Sequence, residues 1–180
     1  MKPVVLAFAG SIASGKSTLS TAVASALGCP RVSFGDCVRT EAQRRGLGDS
    51  RDVLQEVGAS LIEEGWESFC HTVLAQAVWK PGQSLVVDGI RHAEAVEELK
   101  RLVSPSPLLL VFIATSEPAR KNRLRERNVA ESSALQRIES HSTEVQVQTV
   151  LPGKADLIVD GTRPIEDLTQ EITEWVRRCM

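Results

Sequence analysis

A chain of 180 residues, 42% hydrophobic and 24% charged, is long enough to bury one core and short for two domains. Its 21 basic and 23 acidic residues give a formal charge of −2, which excludes the generally basic surface that non-specific nucleic-acid binding needs. Cys29, Cys37, Cys70 and Cys179 form no CxxC pair and no metal-ligand spacing, which argues against a zinc site or a disulfide framework and points to reduced thiols in a cytoplasmic protein.

Val4 to Ala9 is a continuous apolar run between Pro3 and Gly10, the pattern of a strand buried on both faces. Ala7-Phe8-Ala9 imitates a signal-peptide cleavage site, but the run is too short for a signal core and leads straight into a glycine motif. No other stretch approaches membrane-spanning length, so no membrane partner is expected. Leu19, Val23, Ala26 and Leu27 then recur at helical spacing until Gly28.

Between that strand and helix stands Gly10-Ser11-Ile12-Ala13-Ser14-Gly15-Lys16-Ser17, which satisfies GxxxxGK[ST], with Thr18 behind it. The glycines let the backbone approach phosphate oxygens with its N–H groups, and the helix N-terminus adds a favourable dipole. Lys16 is placed to reach the β- and γ-phosphates of ATP, and the Ser17 hydroxyl to ligate a bridging Mg²⁺. The motif in this context predicts a P-loop phosphotransferase.

A short strand over Arg31 to Phe34 and a polar helix from Asp36 to Arg45 follow. Ser33-Phe34-Gly35-Asp36-Cys37-Val38-Arg39 falls at a carboxyl strand end, where open parallel sheets present ligand sites. Asp36 and Arg39 lie one helical turn apart. Either Arg39 meets an acceptor phosphate while Asp36 receives or orients a hydroxyl, or Asp36 caps the helix and Arg39 is solvated.

A helical region over Ser50 to Val78, broken near Gly65, carries Val53, Leu54, Val57, Leu61 and Ile62 on one face. After a turn at Pro81-Gly82, Leu85 to Val87 form the third strand, ending in Asp88-Gly89-Ile90-Arg91. Asp88 is a candidate Mg²⁺ carboxylate and Arg91 a clamp for the acceptor or transferred phosphate; the competing reading is a simple Asp-Gly turn.

A helix over Ala93 to Leu102 and a strand over Leu108 to Ala114 precede two helices, Pro118 to Arg127 and Glu131 to His141. The first of these places Arg120, Arg123 and Arg127 on one face with Leu124, while Lys121 and Arg125 point elsewhere. Three arginines so placed suit a charge-dispersed phosphoryl group; a solvated charged helix is the alternative. Leu157 to Val159 form a fifth strand, and the last helix starts near Pro164 with Ile165, Leu168, Ile172, Trp175 and Val176 on one face.

His71, His92 and His141 show no metal spacing, and Trp66, Trp79 and Trp175 are expected as core or interface anchors. The basic segment lacks the interleaved aromatics of base-stacking surfaces, so a nucleic-acid partner is not favoured.

Alternating strands and helices predict a single three-layer α/β domain with a five-stranded, mostly parallel sheet covered on both faces. The helix over Pro118 to Arg127 is expected to be a mobile lid whose arginines face the phosphates only when both substrates are bound.

These motifs together resemble those of the nucleoside monophosphate kinase and dephospho-coenzyme A kinase group, most closely the adenylate-kinase-like small kinases. The likeness spans almost the whole chain. It is carried by the P-loop, SxGDxxR as Ser33, Gly35, Asp36 and Arg39, DGxR as Asp88, Gly89 and Arg91, and RxxRxxxR as Arg120, Arg123 and Arg127. Gln136-Arg137-Ile138 and Lys154 to Asp160 are similar to the ending of those kinases.

The resemblance implies a core of residues 1–34 and 83–180 binding Mg-ATP, with Gly161 to Pro164 near the adenine, an acceptor-binding helical region over about 35–80 and a lid over about 117–130. It implies Arg39, Arg91 and Arg137 on the acceptor phosphate and the lid arginines, with Lys16, on the transferring group. The familiar DGFPR is one residue shorter here, and no expanded lid lies between Arg127 and Glu131. The acceptor is thus a phosphorylated or hydroxyl-bearing small molecule of nucleoside monophosphate or dephospho-coenzyme A type. Competing classes are a P-loop ATPase or switch without an acceptor and an RNA or DNA end kinase.

Overall fold

The computed structural model describes residues 2–77, 79–126 and 142–180. Val5–Gly10 forms β1, fully buried along its length. Its side chains alternate between two cores, as the two-residue period of a strand requires. Val5, Ala7 and Ala9 enter one, and Val4, Leu6 and Phe8 enter the other. A run apolar on every residue is what a strand with a helical layer on each side must be.

The other strands are β2 (Arg31–Ser33), β3 (Leu85–Ile90), β4 (Leu108–Ala114) and β5 (Leu157–Asp160). They order as β2-β3-β1-β4-β5, and every pairing is parallel rather than mostly so. On one face lie α1 (Lys16–Leu27) and the last helix, α9 (Ile165–Cys179), which packs Leu168, Ile172 and Val176 against Leu19 and Val23. The other face carries α2 (Phe34–Arg44), α3 (Arg51–Glu63), α4 (Trp66–Ala75) and α5 (Ala93–Val103). The helical region after residue 50 does break at Gly65, whose φ of 112° no β-carbon residue holds comfortably.

Glu117–Glu126 forms α6. The sequence pattern missed two elements, α7 (Ser142–Thr149) and α8 (Leu151–Lys154). The residues from Ser142 on show almost no helical amphipathicity, so α7 gives periodicity little to detect; its buried Val147 and α8's Leu151 join the core that holds Val5, Ala7 and Ala9. The helix expected over Glu131 to His141, together with Arg127 and Arg137, lies outside the described residues.

This order places β1 at the centre, with its carboxyl end beside those of β3 and β4. Everything discussed below gathers at that edge.

Candidate active site

The loop from Gly10 to Lys16 connects β1 to α1 by passing twice through left-handed backbone, at Ala13 (φ 61°) and Gly15 (φ 95°). Such alternation turns successive amide N–H groups toward one centre and makes an anion-binding concavity. Ala13 adopts this region although it carries a β-carbon, a strain tolerated where the surroundings fix the loop. Lys16 is nearly buried, and its Nζ donates to the Ser11 carbonyl at 3.1 Å, so the ammonium is folded back over the loop. Ser17 follows on the first turn of α1.

Among the described residues two buried side-chain oxygens have no hydrogen-bond partner, Ser14 Oγ in the loop and Asp88 Oδ1 on β3. Buried oxygens of this kind are costly unless something satisfies them. Asp88 lies in register with Phe8 of β1 and Ser33 of β2, at the strand ends. Asp88-Gly89 does not form the simple turn that was the competing reading. Asp88 stays in the strand, while Gly89 (φ 85°) is the extra residue of a bulge, Phe8 pairing with Asp88 and Ala9 with Ile90.

Asp88 Oδ1, together with the Ser17 hydroxyl, would suit a phosphate-bound Mg²⁺. That ion commonly keeps several waters and takes one or two protein oxygens plus phosphates, not a dense carboxylate cage. Ser17 and Asp88 supply such a sparse set. No cluster of three or more His, Cys, Asp or Glu exists among the described residues.

A cavity of about 720 Å³ opens in front of the loop. Its lining combines the cations Lys16, Arg39, Arg51 and Arg91 with apolar side chains that include Phe34, Leu54, Ile62 and Trp66. Trp66 stacks on Phe69 at 6.1 Å between ring centroids and meets His92 at 5.0 Å, which fixes the aromatic end. Arg39 and Arg91 thus come together as expected. Arg51, the aromatic side chains and His92 were not foreseen, because their positions depend on how α3 and α4 pack against α2, α5 and each other.

Asp36 is not the helix cap that one sequence reading made it. The helix begins two residues earlier, at Phe34, and its cap is Ser33, whose Oγ accepts from the Asp36 N–H at 3.3 Å. Gly35 and Arg39 line the cavity but Asp36 does not. Its Oδ1 accepts from Arg39 at 2.8 Å and its Oδ2 stands 3.7 Å from Arg31. Glu63 is the one acidic residue among the described lining.

Helix α6 keeps the expected facing: Arg120 and Leu124 are buried, Arg125 is exposed, and Lys121 pairs with Glu117. The destination of Arg123 differs. Its guanidinium donates to the carbonyls of Ala13 (3.3 Å), Ser14 (2.9 Å) and Gly161 (2.6 Å). It is spent on backbone, because the P-loop turns its amides inward and so leaves these carbonyls facing α6.

The Thr115 hydroxyl also donates to Ser14 O, at 3.2 Å. Gly161 packs so tightly here that a β-carbon would collide with Thr115 and come within 2.9 Å of the Ser14 carbonyl. A second, smaller cavity of about 250 Å³ lies by Ser11, Thr115 and Arg120.

None of the four cysteines lines the cavity in front of the loop. Burial, helped by Glu41, pushes the Cys37 thiol up to about 11, and burial, helped by Glu98, pushes Cys70 up to about 12. All four cysteines are free thiols. Among the described residues no helix is long and apolar enough to cross a membrane.

Comparison with known proteins agrees with this geometry. A family described as AAA domain matches residues 6–145. A UPF0200 protein of Pyrobaculum aerophilum is 33% identical over 172 residues, covering 93% of this chain and 94% of the relative. Among solved structures, the Mycobacterium tuberculosis APS kinase in complex with AMPPNP and APS superposes with a TM-score of 0.67 at 20% identity, covering 98% of each chain. The shikimate kinase of Aquifex aeolicus gives 0.57 at 19% identity, covering 97% of this chain and 96% of the other. At these identities the likeness establishes a P-loop kinase fold.

Proposed function

We propose that this chain, which belongs to the AAA domain family and is a relative of the UPF0200 proteins, is an ATP-dependent small-molecule kinase that phosphorylates a nucleotide-like acceptor. The observation that carries the proposal is the cavity facing the P-loop, whose lining combines Lys16, Arg39, Arg51 and Arg91 with aromatic and aliphatic side chains. A phosphate joined to a planar ring matches that combination of charge and apolar surface.

The P-loop from Gly10 to Thr18 cradles the ATP phosphates, and Lys16 stabilises charge on the transferring group. Ser17 and Asp88 would hold Mg²⁺, which neutralises charge across the phosphates when bound. Arg39, Arg51 and Arg91 bind and orient the acceptor. Helices α2 to α4 form the acceptor side, and α6 covers the donor side, braced by Arg123.

The acceptor atom is best read as a phosphate oxygen. A hydroxyl acceptor needs a carboxylate to take its proton, whereas a phosphate oxygen is already an anion. Asp36 is held between Arg31 and Arg39 and is off the cavity wall, and Glu63 belongs to the α3 side, not to the P-loop. Nucleoside monophosphates therefore rank ahead of dephospho-coenzyme A and sugar-like hydroxyls. The free thiols fit a reducing, cytoplasmic setting.

The test is a product assay with Mg-ATP across ribo- and deoxynucleoside monophosphates, dephospho-coenzyme A and phosphate-free alcohols. Phosphorylated nucleotide with little acceptor-independent hydrolysis is expected. Hydrolysis indifferent to every acceptor would instead identify an ATPase.

A further inference from the structure

Arg31, the first residue of β2, stands behind the candidate metal residues and links four elements. Its Nε donates to Ser20 Oγ on α1 at 2.9 Å, and one terminal nitrogen donates to Asp88 Oδ2 on β3 at 2.5 Å. The other terminal nitrogen lies 3.7 Å from Asp36 Oδ2 on α2. Ser20 passes the link on, its hydroxyl donating to the Ser17 carbonyl at 3.1 Å. Asp36 passes it on in the other direction, through Oδ1 to Arg39.

Asp88 is 2% exposed. A carboxylate taken that far from water needs a cationic partner to offset its lost hydration. A guanidinium can grip a carboxylate by both oxygens, as fork meets fork. Here it does not: Arg31 contacts Oδ2, and Oδ1 stays buried without a partner among the described residues. The remaining guanidinium edges are directed to Ser20 and Asp36, which fixes the rotation of the group and thereby the direction in which Oδ1 points.

We propose that Arg31 is a positioning residue for the metal–nucleotide site: it holds Asp88 so that Oδ1 faces the P-loop side, and steadies Ser17 through Ser20. The inference rests on the reading of this cleft as a Mg-ATP site. Through Asp36 the same guanidinium sets the Asp36–Arg39 pair, so the metal side and the acceptor side share one anchor. Lysine cannot substitute, since one ammonium on a flexible stem does not hold three groups in a fixed plane.

The experiment measures ATP affinity calorimetrically, once with Mg²⁺ and once with EDTA, on wild type, Arg31→Lys and Ser20→Ala. Residues behind metal ligands typically change metal affinity by about 10–100-fold when lost. The ratio of the two ATP affinities should fall by about tenfold in Arg31→Lys, with the EDTA value little changed, and should fall less in Ser20→Ala. A purely structural role would weaken both affinities alike and leave the ratio intact.

An undiminished ratio in Arg31→Lys overturns this inference alone. Should that variant not fold, an undiminished ratio in Ser20→Ala overturns it. Wild-type protein with no metal-dependent ATP binding overturns the reading of the cleft as well.

Discussion

Replacing Arg123 by alanine should destabilise the fold as well as the reaction. The side chain donates to three carbonyls, those of Ala13, Ser14 and Gly161, from a partly buried position. Hydrogen bonds made by a charged group contribute about 1.5–3 kcal/mol each when buried. Partial exposure lowers that figure, the bond at 3.3 Å is weak, and Thr115 continues to satisfy Ser14 O. A net loss of about 2–3 kcal/mol follows, a fall in melting temperature of roughly 4–12 °C for a chain of this size. Arg125→Ala, on the exposed side of the same helix, should stay within about 0.5 kcal/mol. Denaturant unfolding of both variants, paired with ATP titration, is the assay. ATP affinity should drop in Arg123→Ala, because the P-loop loses a brace on its outer side. Equal unfolding midpoints for the two variants would refute the reasoning and return Arg123 to a role confined to the bound phosphates.

Lys16→Ala should remove about 3–4 kcal/mol of transition-state stabilisation, two to three orders of magnitude in kcat, read from turnover with whichever acceptor proves active. Arg39→Ala and Arg91→Ala should raise the acceptor KM while ATP affinity holds; a lost ATP affinity with unchanged KM would contradict the division of the cleft. Hydrogen bonds from Arg44 and Arg45 hold the Glu41 carboxyl down at about 2 from its ordinary 4.5. Its stabilisation is therefore complete above about pH 4.5 and lost as pH falls toward about 2. The stability difference between wild type and Glu41→Gln should shrink over that window, and a difference constant from pH 6 to 2 would rule the clamp out.

The legible parts of this protein were those in which local sequence and tertiary demand coincide. Val4 to Ala9 must be a buried strand because nothing polar interrupts it, and Gly10 to Ser17 must be a loop before a helix because both spacing and residue type require it. Arg39 and Arg91 were found because each follows a strand end, which topology carries to the same edge. The failures share a different cause. The cap reading of Asp36 took the helix to start there, whereas it starts at Phe34. Ser33, three residues before it, holds the cap, and Arg31 and Arg39 hold the carboxylate. Arg31 itself lies in no motif; only the pairing of β2 with β3 brings it to Asp88.

Arginine is the residue whose role sequence least determines here, because a long side chain with a planar fork finds whichever acceptors the fold presents. On the P-loop's outer side those acceptors are carbonyls, so Arg123 braces backbone. Behind β3 they are carboxylates and a hydroxyl, so Arg31 orients side chains. In the cavity Arg39, Arg51 and Arg91 line one space with Lys16, and an anion brought from outside is a further partner that suits several cations. Arg39 shows that bracing and binding are not exclusive, since it pairs with Asp36 and still lines the cavity. A space lined by several cations together with aromatic side chains is complementary to a phosphate carried on a ring.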